Sequence, residues 1–373
     1  MNLSGATIAS LIEDRGLNIA TLARRSNVQE EDIANAISNK TDLSEEDITA
    51  IADALSVPLH VIYSPVPVKL FDAIDFRSKD PSKSAFSKGV LDAISFTEKL
   101  SHTLASTGID LSVRKIASAI KTDLSREHAI GLAADWRLNW GLSIDEQLEY
   151  QDANKVYISL RSFIEDLGVV VVHNSFKTDE AAGIYAHVDG GPHTIIINTT
   201  QSSKARKLFT LGHEFCHFLI RKQGASNPSV LKNRVERFCN KFSAHLLAPD
   251  QLIYKGLKVF GYRASANNNF IRLFAKKLGI SQEALVRRLV EIGLLAQAEY
   301  IKWRSQFTGN VPPGDRSDGK GGRGDVLKNK RTQYGNQLLR LLKKAKSDGE
   351  LDEIDIYRLC GLKPKYQKQL FEA

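Results

Sequence analysis

Residues 168–198 interrupt a chain that otherwise has the spacing of helices, and this stretch constrains the fold most. Gly168–His173 is a short apolar run typical of a buried strand. Two further strand patterns, Ile184–Val188 and Thr194–Asn198, flank Asp189-Gly190-Gly191-Pro192, a sequence typical of a hairpin turn. The pattern therefore predicts an α+β fold that is predominantly helical and contains a small sheet.

The size and composition of the chain are those of a folded protein with more than one domain. Its 373 residues are 42% hydrophobic and 25% charged, which predicts two or three globular domains. No apolar run is long enough to span a membrane, and the first ten residues lack the pattern of a secretory signal. Three cysteines are too few for a disulfide framework, so free thiols in a cytoplasmic protein are expected.

Residues 5–63 have the spacing of four or five short helices joined by brief connectors. Ser26-Asn27-Val28 is a tight connector in which Asn27 can take a positive φ. A short helix, a tight turn and a second short helix are typical of a helix-turn-helix, and a small helical bundle without special function is the alternative. Gly16–Val28 and Leu55–Leu59 resemble the DNA-binding domains of phage-repressor type.

The charge of this N-terminal segment argues against strong binding to DNA. The whole chain carries +8, but residues 1–65 contain ten acids and four bases, so this segment carries −6 and the remainder +14. The second helix of the motif opens with Glu30-Glu31-Asp32, where a DNA reader presents basic or amide groups. We expect weak or no DNA binding by this domain alone, with protein docking or self-association as the competing interpretation. The candidate DNA contacts are Arg24, Arg25, Gln29, Asn35, Asn39 and Lys40.

The sequence His213-Glu214-Phe215-Cys216-His217 has the H-E-x-x-H pattern within an apolar helical stretch. Two histidines four residues apart project from the same side of a helix and can bind one Zn²⁺. Glu214 can then accept the proton of a water molecule that attacks a carbonyl. Glu236, on the next predicted helix, shares a stripe with Asn240 and Ser243 and is the candidate third ligand.

Other side chains near this motif have weaker claims to a role. A thiolate of Cys216 as a fourth ligand would close the site, and this role is disfavoured. His245 lies on the opposite side of its helix from Glu236, so it is disfavoured as a ligand as well. Tyr185 and His187 are candidate hydrogen-bond donors to a developing oxyanion, although a plain hairpin role is favoured. One hairpin strand, Ile184–Val188 or Ile195–Asn198, is expected to lie at the sheet edge and to hold an extended substrate by β-addition.

Several of these stretches together resemble the ImmA/IrrE family of zinc metallopeptidases. The similarity is carried by Ala205–His217, Glu236–Ala244 and Leu247–Pro249, and it continues in Phe274–Leu289 and in the C-terminal helices from Tyr334 to Lys363. Members of this family often carry a repressor-like helix-turn-helix at the N-terminus.

The family resemblance implies a role for each motif residue. His213, His217 and Glu236 would be zinc ligands and Glu214 the catalytic carboxylate of a zincin-like domain. The implied substrate is a regulatory protein of repressor type.

The patterns divide the chain into five parts and favour one function. They are 1–66, a helix-turn-helix domain; 67–150, a helical connector region; 151–298, a zincin-like metallopeptidase domain; 309–330, a Gly/Pro-rich linker or loop; and 331–373, a C-terminal helical region. The predicted function is that of a zinc-dependent endopeptidase. The alternatives are a transcription regulator with the peptidase fold as a sensor, and an interaction protein of a toxin–antitoxin or phage-control system. No membrane partner is expected, and an oligomer is compatible with the sequence.

Overall fold

The computed structural model describes residues 4–64, 86–200, 203–226, 233–307 and 325–372. In these ranges, helices surround a single four-stranded mixed sheet, which confirms the predicted α+β, mainly helical fold. Within the same ranges, every helix is too short or too polar to cross a membrane.

The N-terminal unit is a bundle of five short helices around its own apolar core. Its helices are α1 (Gly5–Asp14), α2 (Ile19–Ser26), α3 (Glu30–Ile37), α4 (Glu45–Leu55) and α5 (Leu59–Ile62). The side chains of Asn18 and Ser44 accept hydrogen bonds from backbone N–H groups in the first turns of α2 and α4. Asn27, between α2 and α3, has a φ of 60°, as the tight-turn pattern predicts.

The remaining elements form the rest of the molecule. Before the sheet come α6 (Lys88–Ala105), α7 (Arg126–Trp140), α8 (Ile144–Tyr150) and α9 (Ala153–Asp166). The strands are β1 (Val170–Asn174), β2 (Gly183–Ala186), β3 (Thr194–Asn198) and β4 (Gly224–Ser226), with α10 (Lys204–Leu219) between β3 and β4. After the sheet come α11 (Arg234–Leu247), α12 (Asp250–Phe260), α13 (Asn268–Leu278), α14 (Gln282–Glu291), α15 (Gln297–Ser305), α16 (Val326–Ser347), α17 (Glu353–Cys360) and α18 (Pro364–Glu372).

The strand order corrects one expectation about substrate binding. The predicted hairpin exists, because β2 and β3 pair antiparallel with Tyr185 opposite Ile195. The sheet order is β1-β3-β2-β4, so β3 also pairs with β1 and β2 also pairs with β4. The expectation that Ile184–Val188 or Ile195–Asn198 is an edge strand is therefore wrong. Since both strands are buried and paired on each side, neither can bind a substrate by β-addition.

Each face of the sheet carries a separate apolar core. Alternate strand residues face opposite sides, with Ile195 and Ile197 in one core and Ile184 and Ile196 in the other. Helices α7 to α15 contribute to the first core, in which Trp136 packs edge-on against the ring of Phe215 in α10. Helices α6, α16, α17 and α18 contribute to the second core.

Helix α16 is interrupted where it covers the outer edge of β1. Gly335 has φ 74° and ψ 170°, which interrupts the helix, and an added Cβ would lie 2.0 Å from a carboxylate oxygen of Glu165. The buried Arg161 pairs with Glu165 and donates to the backbone carbonyls of Val171 and Thr332. Residues 309–324 of the predicted linker 309–330 lie outside the described residues. Asp325 caps α16, and the linker's last residues are helical.

The N-terminal unit is joined to α6 by a buried ion pair. Both terminal nitrogens of Arg15 donate to Glu98, at 3.0 and 2.7 Å, and its Nε donates to the carbonyl of Leu55. The two charged side chains are 0% and 6% exposed. Lys88 adds an exposed pair with Asp53 across the same contact. The N-terminal unit is therefore held by charge pairing that water scarcely reaches.

Glu291, at the end of α14, collects several cations from neighbouring helices. Lys241 and Arg288 donate to it, and His245 lies 3.1 Å from its Oε1. Burial alone would raise the pKa of Glu291, but the hydrogen bonds of His245 and Lys241 and the charge of Arg288 lower it. The Arg288 side chain is fully buried, and its charge is compensated by this carboxylate together with that of Asp250.

Replacing Glu291 by Gln is expected to lower the free energy of unfolding by about 2 kcal/mol near neutral pH. Because the pKa is lowered on folding, this stabilisation is complete above the ordinary carboxyl value of 4.5 and declines as the pH falls below it. Urea unfolding at about pH 7 and about pH 4 measures both effects. Glu149→Gln, at an exposed position of α8, is the control and should change little. The same loss of unfolding free energy at both pH values would contradict this account.

Candidate metal centre and active site

Helices α10 and α11 approach each other closely enough to share one site. At Gly212 an added Cβ would lie 2.7 Å from Oγ of Ser243, which donates to the carbonyl of Phe209. Glu236 and Asn240 lie on the same stripe of α11 as Ser243 and also face α10, as their spacing predicts. The absence of a side chain at Gly212 thus brings the stripe of α11 against the two histidines of α10.

His213, His217 and Glu236 meet in the interior between these two helices. The two Nε2 atoms are 3.1 Å apart, and the carboxylate oxygens of Glu236 lie 3.1 Å from His217 and 3.3 Å from His213. All three side chains are at most 1% exposed. Their ligand atoms lie within 4.8 Å of one another, so this group could hold a metal ion.

In each histidine, the hydrogen bond made by Nδ1 determines that Nε2 faces the centre. Nδ1 of His217 lies 2.8 Å from the carbonyl of Lys222, which can only accept, so Nδ1 carries the proton. The turn that presents this carbonyl contains Arg221 at φ 51°. Nδ1 of His213 lies 3.0 Å from Oδ1 of Asn240. Both Nε2 lone pairs are thereby directed toward the centre, the arrangement seen in histidines that bind metals.

The centre consists of acceptor atoms that need a positive charge between them. Two nitrogen lone pairs and a carboxylate within 3.3 Å repel one another unless a cation or a proton is shared. Burial alone would raise the pKa of Glu236, but His213 and His217 outweigh it and lower this pKa to about 2. Burial alone would lower the pKa of His217, but the hydrogen bond to Glu236 and the charge of this carboxylate raise it. This donor set fits a divalent cation such as zinc, which binds imidazole and carboxylate together.

Glu214 lies on the side of α10 that faces the sheet. An added Cβ at Gly183 of β2 would lie 2.7 Å from its Oε1 and 2.8 Å from its Cγ, with Thr210 beside them. The missing side chain of Gly183 therefore creates the space that the Glu214 carboxylate occupies. Glu214 is fully buried, next in sequence to His213. The sequence alone does not show the role of Gly183, because this role depends on a contact between a strand and a helix.

Tyr185 and His187 lie in a stack of rings formed by the hairpin. The hydroxyl of Tyr185 is 2.8 Å from Nδ1 of His193, and the rings of His187 and His193 stack with centroids 3.9 Å apart. Tyr185 also packs edge-on against Phe218 of α10. Burial raises the pKa of Tyr185 and lowers that of His193 to about 3, so both are neutral near pH 7. These contacts favour the plain hairpin role over that of an oxyanion donor.

The two disfavoured ligands lie outside the metal-binding group. His245 contacts Glu291 and Arg288 on the far side of α11. Cys216 is a buried free thiol, as is Cys239 beside it. Burial and the neighbouring Cys216 raise the pKa of Cys239, so a thiolate there is unfavourable near neutral pH.

The candidate DNA contacts are scattered over the N-terminal unit. Arg25 donates to the carbonyl of Phe86, so it lies at the contact with the rest of the chain. Oδ1 of Asn39 accepts from the backbone N–H of Gly5, which is a structural role. Asn35 is half-buried on α3. The side chains that remain on the surface are Arg24, Gln29 and Lys40, together with the acids Glu30, Glu31 and Asp32.

Replacing Asn240 by Leu is expected to weaken zinc binding by about 10-fold to 100-fold. The leucine removes the oxygen that holds the proton on Nδ1 of His213, so the imidazole loses its fixed orientation. Competition with a fluorescent zinc chelator measures the affinity. Asn139→Leu, at an exposed position of α7, is the control and should bind zinc like wild type. Equal affinity for Asn240→Leu and wild type would contradict the orienting role.

A comparison with protein families supports this site. Residues 164–290 match the model of a peptidase family, the IrrE N-terminal-like domain. The matched segment runs from the end of α9 to α14 and contains the sheet, α10 and α11 with all four motif residues. The match and the His213, His217 and Glu236 group together support a metallopeptidase-like role for this part of the chain. Comparison with curated proteins and with solved structures found no match.

Proposed function

We propose that this protein is a zinc-dependent endopeptidase whose metal is held by His213, His217 and Glu236. The observation that carries the proposal is the buried centre built from two Nε2 lone pairs and one carboxylate, all acceptors. Three protein ligands leave a fourth position of a tetrahedral zinc ion open, which is the pattern of catalytic rather than structural sites. The match of residues 164–290 to a peptidase family points to the same chemistry.

Glu214 is the proton acceptor in this proposal. A bound zinc ion would polarise a carbonyl and make water acidic near neutral pH. Glu214 accepts the proton as water attacks the peptide carbonyl and then delivers it to the leaving amine. Gly183 and Thr210 enclose the carboxylate between α10 and β2, which restricts its position and keeps bulk water away from it.

The substrate class is a regulatory protein of repressor type in the cytoplasm. This part of the proposal depends on the ImmA/IrrE resemblance and on the helix-turn-helix spacing of the N-terminal unit. The surface of α3 begins with exposed acids, which favours contact with protein over tight binding to DNA. The N-terminal unit would then help select the protein substrate.

A search for cleaved proteins tests the proposed activity. Wild type and Glu214→Gln are expressed in parallel in the same host, and shortened proteins are identified by mass spectrometry of their new N-termini. We expect one or a few proteins to be shortened by wild type alone. Identical sets of protein termini in both strains, with the metal bound, would contradict the assignment.

One observation favours a second candidate function, that of a regulator in which the peptidase fold is a sensor. Glu214 and the three ligand side chains are at most 1% exposed, so a peptide reaches them only after the site opens. A sensor needs metal binding but no access for a peptide. Zinc binding that changes the affinity for a partner protein or DNA, without cleavage under any condition, would support the sensor instead.

A further inference from the structure

Helix α10 ends in a turn just beyond the ligand His217, and one residue of this turn has a left-handed backbone. That residue is Arg221, with φ 51°. Its N–H donates to the carbonyl of Phe218 at 3.2 Å, and the N–H of Lys222 donates to the carbonyl of His217 at 3.0 Å. These two hydrogen bonds define a Schellman motif, whose left-handed position is usually glycine. An arginine at this position needs support from the surrounding structure.

The side chain of Arg221 supplies this support. Its Nη1 donates to the carbonyl of Phe218, and its Nη2 donates at 2.7 Å to the carbonyl of Ala117. The guanidinium also lies over the ring of Phe218, 4.2 Å from the ring centroid. Ala117 belongs to the short helical turn Lys115–Ala117, which precedes α7. Arg221 therefore ties the end of α10 to a separate segment and holds its own backbone in the left-handed conformation.

This turn holds His217 at both its backbone and its side chain. The N–H of Lys222 donates to the backbone carbonyl of His217, and the carbonyl of Lys222 lies 2.8 Å from the Nδ1 atom of the same histidine. The second contact keeps the proton on Nδ1 and leaves the Nε2 lone pair for a metal ion. Both contacts depend on the bend at Arg221, because another backbone conformation there would carry Lys222 away from His217.

We propose that Arg221 is a positioning residue of the metal centre, which locks this turn so that the Lys222 carbonyl orients the imidazole of His217. The inference rests on the metal centre of the proposed function and adds to it a residue outside the ligand set.

The sign of the effect on zinc binding distinguishes positioning from simple electrostatics. A guanidinium repels a nearby cation, so removing the charge of Arg221 would by itself strengthen zinc binding. Loss of the orienting hydrogen bond would weaken zinc binding instead. A weaker affinity therefore reports the positioning role.

The zinc affinity of full-length Arg221→Met, measured by competition with a fluorescent chelator, tests the proposal. Methionine keeps a long side chain at this position and removes all of its hydrogen-bond donors. We expect the affinity to fall by about 10-fold, the effect of losing the orientation of a metal-binding histidine. Lys222→Met is the control, because it removes an exposed charge from the same turn and keeps the backbone carbonyl. It should bind zinc at least as tightly as wild type.

Two further variants separate the guanidinium from the backbone of Arg221. Glycine adopts a positive φ freely, so Arg221→Gly removes the donors without straining the turn. Arg221→Lys keeps the charge and one donor group, which can reach a single carbonyl. We expect the glycine variant to lose as much affinity as Arg221→Met, and the lysine variant to recover part of the loss. Unchanged or tighter zinc binding by Arg221→Met, or wild-type affinity of Arg221→Gly, would overturn the positioning role.

The Nδ1 proton of His217 gives a second readout, which needs no zinc. In metal-free protein with isotope-labelled histidine, its resonance is assigned by its absence from His217→Ala, and its exchange with solvent is timed. We expect Arg221→Met to exchange this proton about 10-fold faster than wild type, because the turn that shields it opens more often. Equal exchange rates in the two proteins would overturn the positioning role.

The two readouts separate this inference from the proposed function. If wild type binds zinc through its three ligands and Arg221→Met binds it equally well, the positioning role is wrong and the metal centre stands. If wild type binds no zinc, the metal centre is wrong, and the proton exchange still decides whether Arg221 holds His217 in place.

Discussion

The Glu214→Gln variant is expected to keep its zinc and to lose peptide cleavage by about 1000-fold or more. Glutamine has the shape of glutamate and fits the space beside Gly183, but its amide cannot accept the proton of the attacking water. The three ligand side chains are untouched, so the metal content should not change. The measurements are kcat/KM on a peptide that wild type cleaves, and zinc per chain on the same sample.

The matched control for this prediction is Glu149→Gln, which removes a carboxylate from an exposed position of α8. It should cleave at the wild-type rate. Cleavage by Glu214→Gln within a factor of about ten of wild type would remove Glu214 from the mechanism. Loss of both zinc and cleavage would instead assign Glu214 a role in building the centre.

The Glu98→Ala variant is expected to lose about 3–5 kcal/mol of unfolding free energy, the largest stability effect anticipated in this molecule. The substitution leaves the guanidinium of Arg15 buried at 0% exposure without its bidentate partner. The N-terminal unit should then separate from α6. Urea unfolding measures the loss, and faster amide hydrogen exchange in α1 and α6 reports the separation.

Two comparisons show whether charge burial is the cause. Lys88→Met removes an exposed ion pair from the same contact and should cost less than about 1 kcal/mol. The double variant Arg15→Met with Glu98→Met removes both charges and should recover most of the stability. A loss below about 1 kcal/mol for Glu98→Ala would contradict a docking contact held by this pair.

The features that the sequence predicted correctly are those set by local spacing. His213 and His217 are four residues apart and face one side of α10, while the stripe of Glu236, Asn240 and Ser243 on α11 meets them. The positive φ of Asn27 also follows from neighbouring residues. The spacing within each helix is set by residues within about two helical turns. The meeting of α11 with α10 depends instead on their close approach at Gly212.

The features that the sequence did not predict depend on contacts between distant segments. One of the two hairpin strands was expected at the sheet edge. The strand that covers β2 is β4, which has three residues, lies beyond α10 and is too short to have a sequence signature. The pairs of Arg15 with Glu98 and of Glu165 with the break at Gly335 join residues far apart in the chain. Arg25, a candidate phosphate contact, lies against Phe86 for the same reason. Periodicity describes one element at a time and carries no information on which elements meet.

The metal content of the purified protein tests the central claim most directly. Wild type, His217→Ala, Glu236→Ala and, as the control, His245→Ala are dialysed side by side and analysed by mass spectrometry of the elements. We predict about one zinc per chain in wild type and in the control, because His245 pairs with Glu291 outside the centre. The two ligand variants should lose most of their zinc. Wild type without zinc after exposure to it, or ligand variants that keep a full equivalent, would contradict the assignment of this centre.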